Sequence, residues 1–207
     1  MSADSTVARR EGGRRKGRVA GLLLAAGAGT RLGQPKALVD VGGQRLVDRG
    51  VQLLRAGGCE PVLVVLGAAT TAVPGARVVH NPDWASGMGS SLRRGLAALP
   101  PQPNAVVVAL VDQPRVHPEA VRRLVAAHHA GAVAAVATYA GEPRNPVLLA
   151  RPVWADAAAA ATGDLGARAL LRTRPELVTP VPCDDVGAPD DVDTPADLDR
   201  LRASYFS

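Results

Sequence analysis

Hydrophobic positions along the chain fall into two rhythms. Short continuous apolar runs stand at Val19–Ala25, 61–66 (PVLVVL) and 105–111 (AVVVALV), each bounded by Gly, Pro or Asp. Such runs predict strands buried on both faces of a sheet. Shorter runs at 76–80, 133–139, 146–149 and 177–181 predict further strands. Between them the apolar residues recur every three or four positions. Residues 44–56 carry Leu46, Val47, Val51, Leu53 and Leu54 in that spacing before Gly57-Gly58, which predicts a helix with a glycine stop. Residues 90–99, with Leu92, Leu96 and Leu99, and 117–130, with Val121, Leu124 and Val125, repeat the pattern. Ala-rich helical pieces follow at 154–161 and 167–171, split by Gly163-Asp164-Leu165-Gly166. Thr194-Pro195-Ala196-Asp197 reads as a helix start, with Thr as the cap, Pro in the first turn and an acid three residues after the cap. Strands alternating with helices predict an α/β fold: a mostly parallel sheet with helices on both faces and right-handed crossovers.

Composition narrows this picture. Aromatic residues are only 2% of the chain, so the core has to be built from Ala, Val and Leu. The net charge of +5 is concentrated in Arg9, Arg10, Arg14, Arg15, Lys16 and Arg18. No aromatic residues interleave with these cations and no apolar face follows, so a solvated tail over 1–17 is expected rather than a nucleic-acid or membrane arm. Residues 18–207 are then expected to form one domain. Cys59 and Cys183 lie in no CxxC and near no His, which argues against a disulfide framework or a zinc site. Cys59 is expected to pack as a small hydrophobe before the second strand. No apolar run reaches membrane-span length and no hydrophobic leader precedes Val19, so the expected setting is cytoplasmic.

The candidate chemistry begins where the first strand ends. Gly27, Gly29 and Gly33 carry no side chain to block close approach of a phosphate to the backbone. Arg31 and Lys36 add positive charge beside them. The same glycines fit a loose GxGxxxG, so a nicotinamide-dinucleotide site is the competing reading. Against it, the loop does not run into a clean amphipathic helix, and no acid-terminated strand follows at the usual distance. A purely structural turn is the third reading. Asp112 closes the most β-like run, at the edge where open α/β sheets bind ligands, and a carboxylate there suits Mg²⁺; the bland reading is a turn-forming residue before Pro114. Asp193 is a second candidate carboxylate, or a structural residue of the helix start beside it. Asn81 and the turn 87–91 open a helix N-terminus, suited to an anion or a base edge; the bland reading is a structural loop with Trp84 as a core plug. The four histidines show no metal-pair spacing and are expected to be structural.

Several segments together resemble one family. LAAGAGTRLGQPKALV is similar to the LAAGxSxRxGxxKxLL signature of the molybdenum cofactor cytidylyltransferase (MocA-like) branch of the small nucleotidyltransferases. Downstream, Asn81 to Leu92 resembles the branch's NxxWxxGMxxSL segment, and Asp112-Gln113-Pro114 its DQP. Asn145-Pro146, Gly163 to Arg168, and Asp191 to Asp197 resemble its (G/N)(H/N)P, GDxGAR and DxDTPxD segments. The likeness runs in order from about Val19 to Leu201. It departs from the pattern at Asn145, where His is more usual, and in the GAG of the loop, where GxS is commoner.

What the resemblance implies is a Rossmann-like three-layer α/β/α fold of the nucleotide-diphospho-sugar transferase type. The implied activity is Mg²⁺-dependent transfer of CMP from CTP, or less favourably another nucleotide, to a phosphorylated acceptor. Molybdopterin is the implied acceptor and a molybdoenzyme an implied partner. Leu24, Ala25, Ala26, Gly27, Gly29, Arg31, Lys36, Asn81, Ser90 and Ser91 would bind the nucleotide. Arg31 would sit on the leaving pyrophosphate, and Lys36 would reach the α-phosphate. Asp112 and Asp193 would hold the metal, and Asn145, Asp164 and Arg168 would face the acceptor. Ala25-Ala26 favours CTP, since the related guanylyltransferases carry Gly in the second place. Two other readings stay open: an NAD(P)-dependent oxidoreductase using the same loop, and a non-catalytic protein that inserts a cofactor into an enzyme.

Overall fold

The computed structural model describes residues 17–205. The basic cluster before Gly17 lies outside them. In chain order the elements are β1 (Val19–Ala25), β2 (Asp40–Val41), β3 (Gln44–Arg45), α1 (Leu46–Ala56), β4 (Val62–Leu66), β5 (Arg77–His80), α2 (Met88–Ala98), β6 (Ala105–Leu110) and α3 (Pro118–His129). There follow β7 (Ala134–Tyr139), β8 (Glu142–Ala150), α4 (Trp154–Ala160), α5 (Arg168–Thr173), β9 (Val178–Pro182) and α6 (Pro195–Tyr205).

Seven strands form one sheet in the order β5-β4-β1-β6-β8-β7-β9. All neighbouring pairs are parallel except those made by β8, which runs antiparallel to both β6 and β7. β1, β4 and β6 are buried at every position, which explains their unbroken apolar composition. Their alternate residues feed two separate cores. Leu23 of β1 joins the core under α1, α3 and α6, whereas Leu22 and Leu24 join the one under α2, α4 and α5. Fully burying a side chain of this size is worth about 1.5–3 kcal/mol, so β1 is held from both sides.

Two helices approach β1 closely at adjacent residues. A Cβ on Gly50 of α1 would come within 2.6 Å of Leu23, and one on Gly95 of α2 within 2.6 Å of Leu22. Clamped in this way, the tip of β1 has little freedom to move, and it is the tip that carries the glycine loop.

The chain steps outward from β1 through β4 to β5, then returns to place β6 on the other side of β1. That reversal opens a crevice at the carboxyl ends of β1 and β6, the usual ligand position in such sheets.

Three elements differ from the sequence expectation. The helix predicted from 44 begins at Leu46. Gln44-Arg45 instead pairs with Asp40-Val41 across a Gly42-Gly43 turn, which Asp40 closes by accepting from the Gly43 amide at 2.9 Å. The strand predicted over 146–149 extends to Glu142–Ala150 and turns back on β7. Ala140 and Gly141 both have positive φ, 50° and 77°, which is the backbone that a tight two-residue hairpin needs. α2 begins at Met88 rather than Ser90, directly after Gly87.

Candidate functional site

The site is built on the ends of β1 and β6. After β1 the chain makes two single 3₁₀ turns, Thr30–Leu32 and Lys36–Leu38. Gly29 permits the first: its φ is +61°, and a Cβ there would lie 2.1 Å from the Gln34 carbonyl. The second is anchored from below by Ala37 and Val39, both fully buried. Lys36 therefore leaves a fixed piece of backbone, whereas Arg31 stands on the exposed turn.

Asp112 follows β6 by two residues. The Val111 amide donates to the Leu24 carbonyl at 3.1 Å, and the Asp112 carbonyl accepts from the Val192 amide at 2.8 Å. That second bond brings the segment before α6 alongside the end of β6. Asp193 is set by the turn that starts α6. The Asp197 carboxylate accepts from the Asp193 and Thr194 amides at 3.1 and 2.7 Å, and the Thr194 hydroxyl accepts from the Asp197 amide at 3.2 Å. This is the reciprocal cap expected from Thr194-Pro195-Ala196-Asp197.

These elements converge on one ammonium group. Lys36 Nζ donates to Asp112 Oδ2 at 2.7 Å and also to Asp193 Oδ1. Arg31 Nη2 pairs with the other Asp193 oxygen at 2.9 Å. The Lys36 and Asp112 side chains are only 16% and 19% exposed, against 66% for Arg31. Burial alone would lower the Lys36 pKa, but the charge and hydrogen bonds of Asp112 and Asp193 outweigh it and hold the ammonium above its ordinary value. Asp193 is held below the usual carboxylate range, chiefly by the Lys36 hydrogen bond and despite partial burial. Asp191, one turn of chain away, is pushed up by burial and then by its two acidic neighbours, against the Gln113 hydrogen bond.

A divalent cation fits this donor set. Asp112 Oδ1 is buried without a hydrogen-bond partner, while Oδ2 and Asp193 Oδ1 already bracket a single cationic atom. Among the described residues no group of three or more His, Cys, Asp or Glu side chains converges as a metal site. Two carboxylates suit a hard cation that keeps waters and takes substrate oxygens; they do not suit a closed structural site.

From this cluster a cleft of about 340 Å³ runs over the ends of β1 and β6 towards α2. Leu24, Ala26, Gly27, Lys36, Ser91, Asp112 and Asp164, all singled out in the sequence, line it. Arg31 and Asp193 join through their ion pairs. The remaining sequence candidates lie elsewhere. Ala25 points into the core on the opposite face of the sheet. Asn81 is buried beneath the 83–91 loop, donating to the Ser90 and Ser91 hydroxyls at 2.9 and 3.0 Å and accepting from the Asp83 amide at 3.1 Å. Ser90 in turn donates towards the Asp83 and Gly87 carbonyls. In this arrangement Asn81 and Ser90 shape the loop while Ser91 reaches the cleft. Asn145 is buried on β8, and Arg168 is exposed at the start of α5.

Trp84 and Met88, which belong to the 81–92 segment singled out in the sequence, also line the cleft; Leu110, the last residue of β6, was missed. Trp84 is half-buried at the cleft rather than a core plug. The far wall is a junction of two glycine-rich segments. The Gly89 amide donates to the Gly163 carbonyl at 2.8 Å, and the Met88 amide to Asp164 at 3.4 Å. A Cβ on Gly87 would lie 2.6 Å from the Gly163 backbone.

The match to known proteins covers most of the chain. Residues 21–178 match the family model of the MobA-like NTP transferase domain. A protein of Paenarthrobacter nicotinovorans, named nicotine blue oxidoreductase, is 40% identical over 196 residues, spanning 88% of this chain and 96% of its own. The crystal structure of a homologue, from Mycobacterium sp. strain JC1, of Mycobacterium tuberculosis Rv0371c superposes with a TM-score of 0.81 at 33% identity, covering 93% of this chain and 98% of the other. Rv0371c from Mycobacterium tuberculosis, solved as a complex with manganese, superposes with a TM-score of 0.75 at 30% identity over 90% of this chain and 99% of its own. With its crevice at the reversal of a mostly parallel sheet and a matched segment that takes in the glycine loop, Lys36 and Asp112, the chain belongs to the MobA-like NTP transferase domain family and is a nucleotidyltransferase.

Proposed function

We propose that this nucleotidyltransferase moves CMP from CTP to a phosphorylated acceptor, molybdopterin or a close relative, with release of pyrophosphate and dependence on Mg²⁺. The observation that carries the reading is the Lys36 ammonium held between Asp112 and Asp193 beside the glycine loop. In the reaction an acceptor phosphate oxygen forms a bond to the α-phosphorus as the bond to pyrophosphate breaks. Both partners are anions, so the barrier is set by how well their charge is balanced. Lys36 leaves its carboxylates and hydrogen-bonds the α-phosphate, where charge builds up. Arg31, exposed and paired with Asp193, lies over the leaving pyrophosphate. Asp112 and Asp193 are the residues that would hold the divalent cation, whose contribution when bound is to neutralise the phosphates. That the Mycobacterium tuberculosis relative was solved as a complex with manganese supports a need for a divalent metal.

The cleft supports the nucleotide half of the reading. Leu24, Met88, Trp84 and Leu110 give it an apolar stretch next to the charged end, and Ser91 lines it with a hydroxyl whose oxygen accepts from Asn81. Such a cleft accommodates a base and ribose with the phosphates at the charged end. The test is pyrophosphate release from CTP, GTP, ATP and UTP in turn, with and without acceptor and Mg²⁺. The expected result is release from CTP only with both present. Release that is independent of the acceptor, or turnover with the divalent ion chelated, overturns the reading.

A second reading rests on the relative named as an oxidoreductase. In that reading the glycine loop holds the pyrophosphate of NADPH. It leaves the Asp112–Lys36–Asp193 cluster without a task, since hydride transfer needs no paired carboxylates. A thermal shift with NADPH and none with any nucleoside triphosphate and Mg²⁺ would favour it.

A further inference from the structure

The two carboxylates that face Lys36 come from segments eighty residues apart in the chain, and their spacing has to be set by something other than local backbone. One buried side chain joins those segments. Gln113 is 4% exposed. Its amide Nε2 donates to Asp191 Oδ1 at 2.9 Å and to the Pro189 carbonyl at 3.2 Å. On the neighbouring residues the Val192 amide donates to the Asp112 carbonyl at 2.8 Å. The other side-chain link between the two segments, Arg115 to Asp190 at 3.1 Å, joins groups that are both more than half exposed, and a pair of that kind holds little.

We propose that Gln113 is a positioning residue for the metal pair: by fixing the Asp191 side chain and the Pro189 carbonyl, it sets the distance at which Asp193 faces Asp112. Gln113 does not touch the reacting groups. It is adjacent in sequence to Asp112, and its amide reaches two residues before Asp193, so one side chain spans both holders of the cation. Its donor character is what matters. Both of its partners are oxygen acceptors, and Asp191 carries a charge that an unpaired acceptor or an apolar side chain opposite would drive away from the β6 segment. Val192, buried between Asp191 and Asp193, transmits any shift of that segment to the Asp193 carboxylate. Outer residues that orient metal ligands typically change metal affinity by ten- to a hundredfold when altered.

This inference rests on the reading of Asp112 and Asp193 as metal holders, and the test separates the two. Mn²⁺ is titrated into the protein without nucleotide, with free Mn²⁺ followed by electron paramagnetic resonance. The chains compared are wild type, Asp112→Asn, Gln113→Met, Asp191→Ala and the double variant Gln113→Met/Asp191→Ala. Asp112→Asn is expected to lose binding. Gln113→Met is expected to weaken it about tenfold or more in an otherwise wild-type chain, and to have a clearly smaller effect in the Asp191→Ala background, where only the bond to the Pro189 carbonyl is left to lose. Unchanged Mn²⁺ affinity in folded Gln113→Met, with Asp112→Asn deficient, overturns the positioning role alone. So do equal losses from Gln113→Met in both backgrounds. Wild type and Asp112→Asn that titrate alike overturn the metal reading and the positioning role with it. If Gln113→Met does not fold cooperatively, Asp191→Asn replaces it. That variant keeps the acceptor oxygen and is expected to bind Mn²⁺ more tightly than Asp191→Ala; equal binding by the two overturns the proposal.

Discussion

The two ends of the cleft are held in opposite ways. At the charged end, Lys36, Asp112 and Asp193 project from backbone fixed by buried neighbours and by hydrogen bonds between strand tips. At the far end, two glycine-rich segments lie backbone against backbone, with Gly87 on Gly163 and Gly89 bonded to Gly163. Side chains do the fixing in one place, and their absence does it in the other. At the charged end the decisive changes are those to charge and to donor groups; at the glycine junction the addition of a single carbon is enough. An end built for group transfer and an end built to admit a particular shape of molecule are the two tasks that such a contrast suits.

Substitutions can break this contrast. The largest effect is expected from Lys36→Met and Asp112→Asn: a fall in transfer of about a hundredfold or more, the scale seen when one preorganised charge-stabilising group is removed. The check is pyrophosphate release at saturating CTP. Full turnover in either variant would remove the charged end from the chemistry. Next is Gly87→Ala. Gly87 has φ +107°, and the new carbon would meet the Gly163 backbone at 2.6 Å. Forcing a side chain into such a conformation costs about 1–3 kcal/mol. Urea unfolding reads that loss directly, and a rise in KM larger than the fall in kcat would place the damage in substrate binding.

Asp197→Ala tests the turn that supports Asp193. It removes one acceptor that takes both backbone amides and the Thr194 hydroxyl, so a loss of about 1 kcal/mol, typical of a lost helix cap, is expected in urea unfolding. The smallest effect calibrates the scale. Arg123 grips Asp185 with two hydrogen bonds of 2.6 and 2.7 Å, geometrically as good as anything in the site but at the surface. The hydrogen bonds from Arg123 bring the Asp185 carboxyl down from the ordinary carboxylate range to about 2. A depressed carboxylate stabilises the fold above its unfolded pKa, and that contribution fades as pH falls from near 4 through 2. Asp185→Asn should flatten this part of the acid-unfolding curve and remove the same contribution at pH 7, a loss kept small by solvent screening of the exposed pair and below that of Asp197→Ala. A large loss at neutral pH would mean that good ion-pair geometry matters even without burial.

Much of the frame was legible because burial on both faces leaves an unmistakable mark. β1, β4 and β6 stand where continuous runs of Val, Leu and Ala predicted them, and the cap of α6 stands where Thr194 and Asp197 predicted it. Asp112 could be found because strand ends are where open sheets bind ligands. The direction of β8 could not be read, because an apolar run looks the same in either sense; the Ala140-Gly141 turn carries the information, and alanine at positive φ has no clear sequence signal. Asn81 and Ser90 were read as facing the ligand, yet their polar atoms are satisfied by each other and by the loop they fold. Polar residue types look the same in a sequence whether they face a ligand or another part of the chain. Gln113 was hidden for the same reason, since its partners lie seventy-six and seventy-eight residues away.

The arrangement around Lys36 has a consequence for how anything charged enters the site. Lys36 and Arg31 contribute two positive charges, and Asp112 and Asp193 two negative ones. Taken together these four groups are electroneutral. On the proposed function, arrival of a metal and a polyphosphate would be an exchange of counter-ions: each carboxylate would trade an ammonium or guanidinium for the metal, and each released cation would meet a phosphate. No charge has to be left bare in between. Neither ligand alone would complete that exchange, so each is expected to bind more tightly once the other is in place.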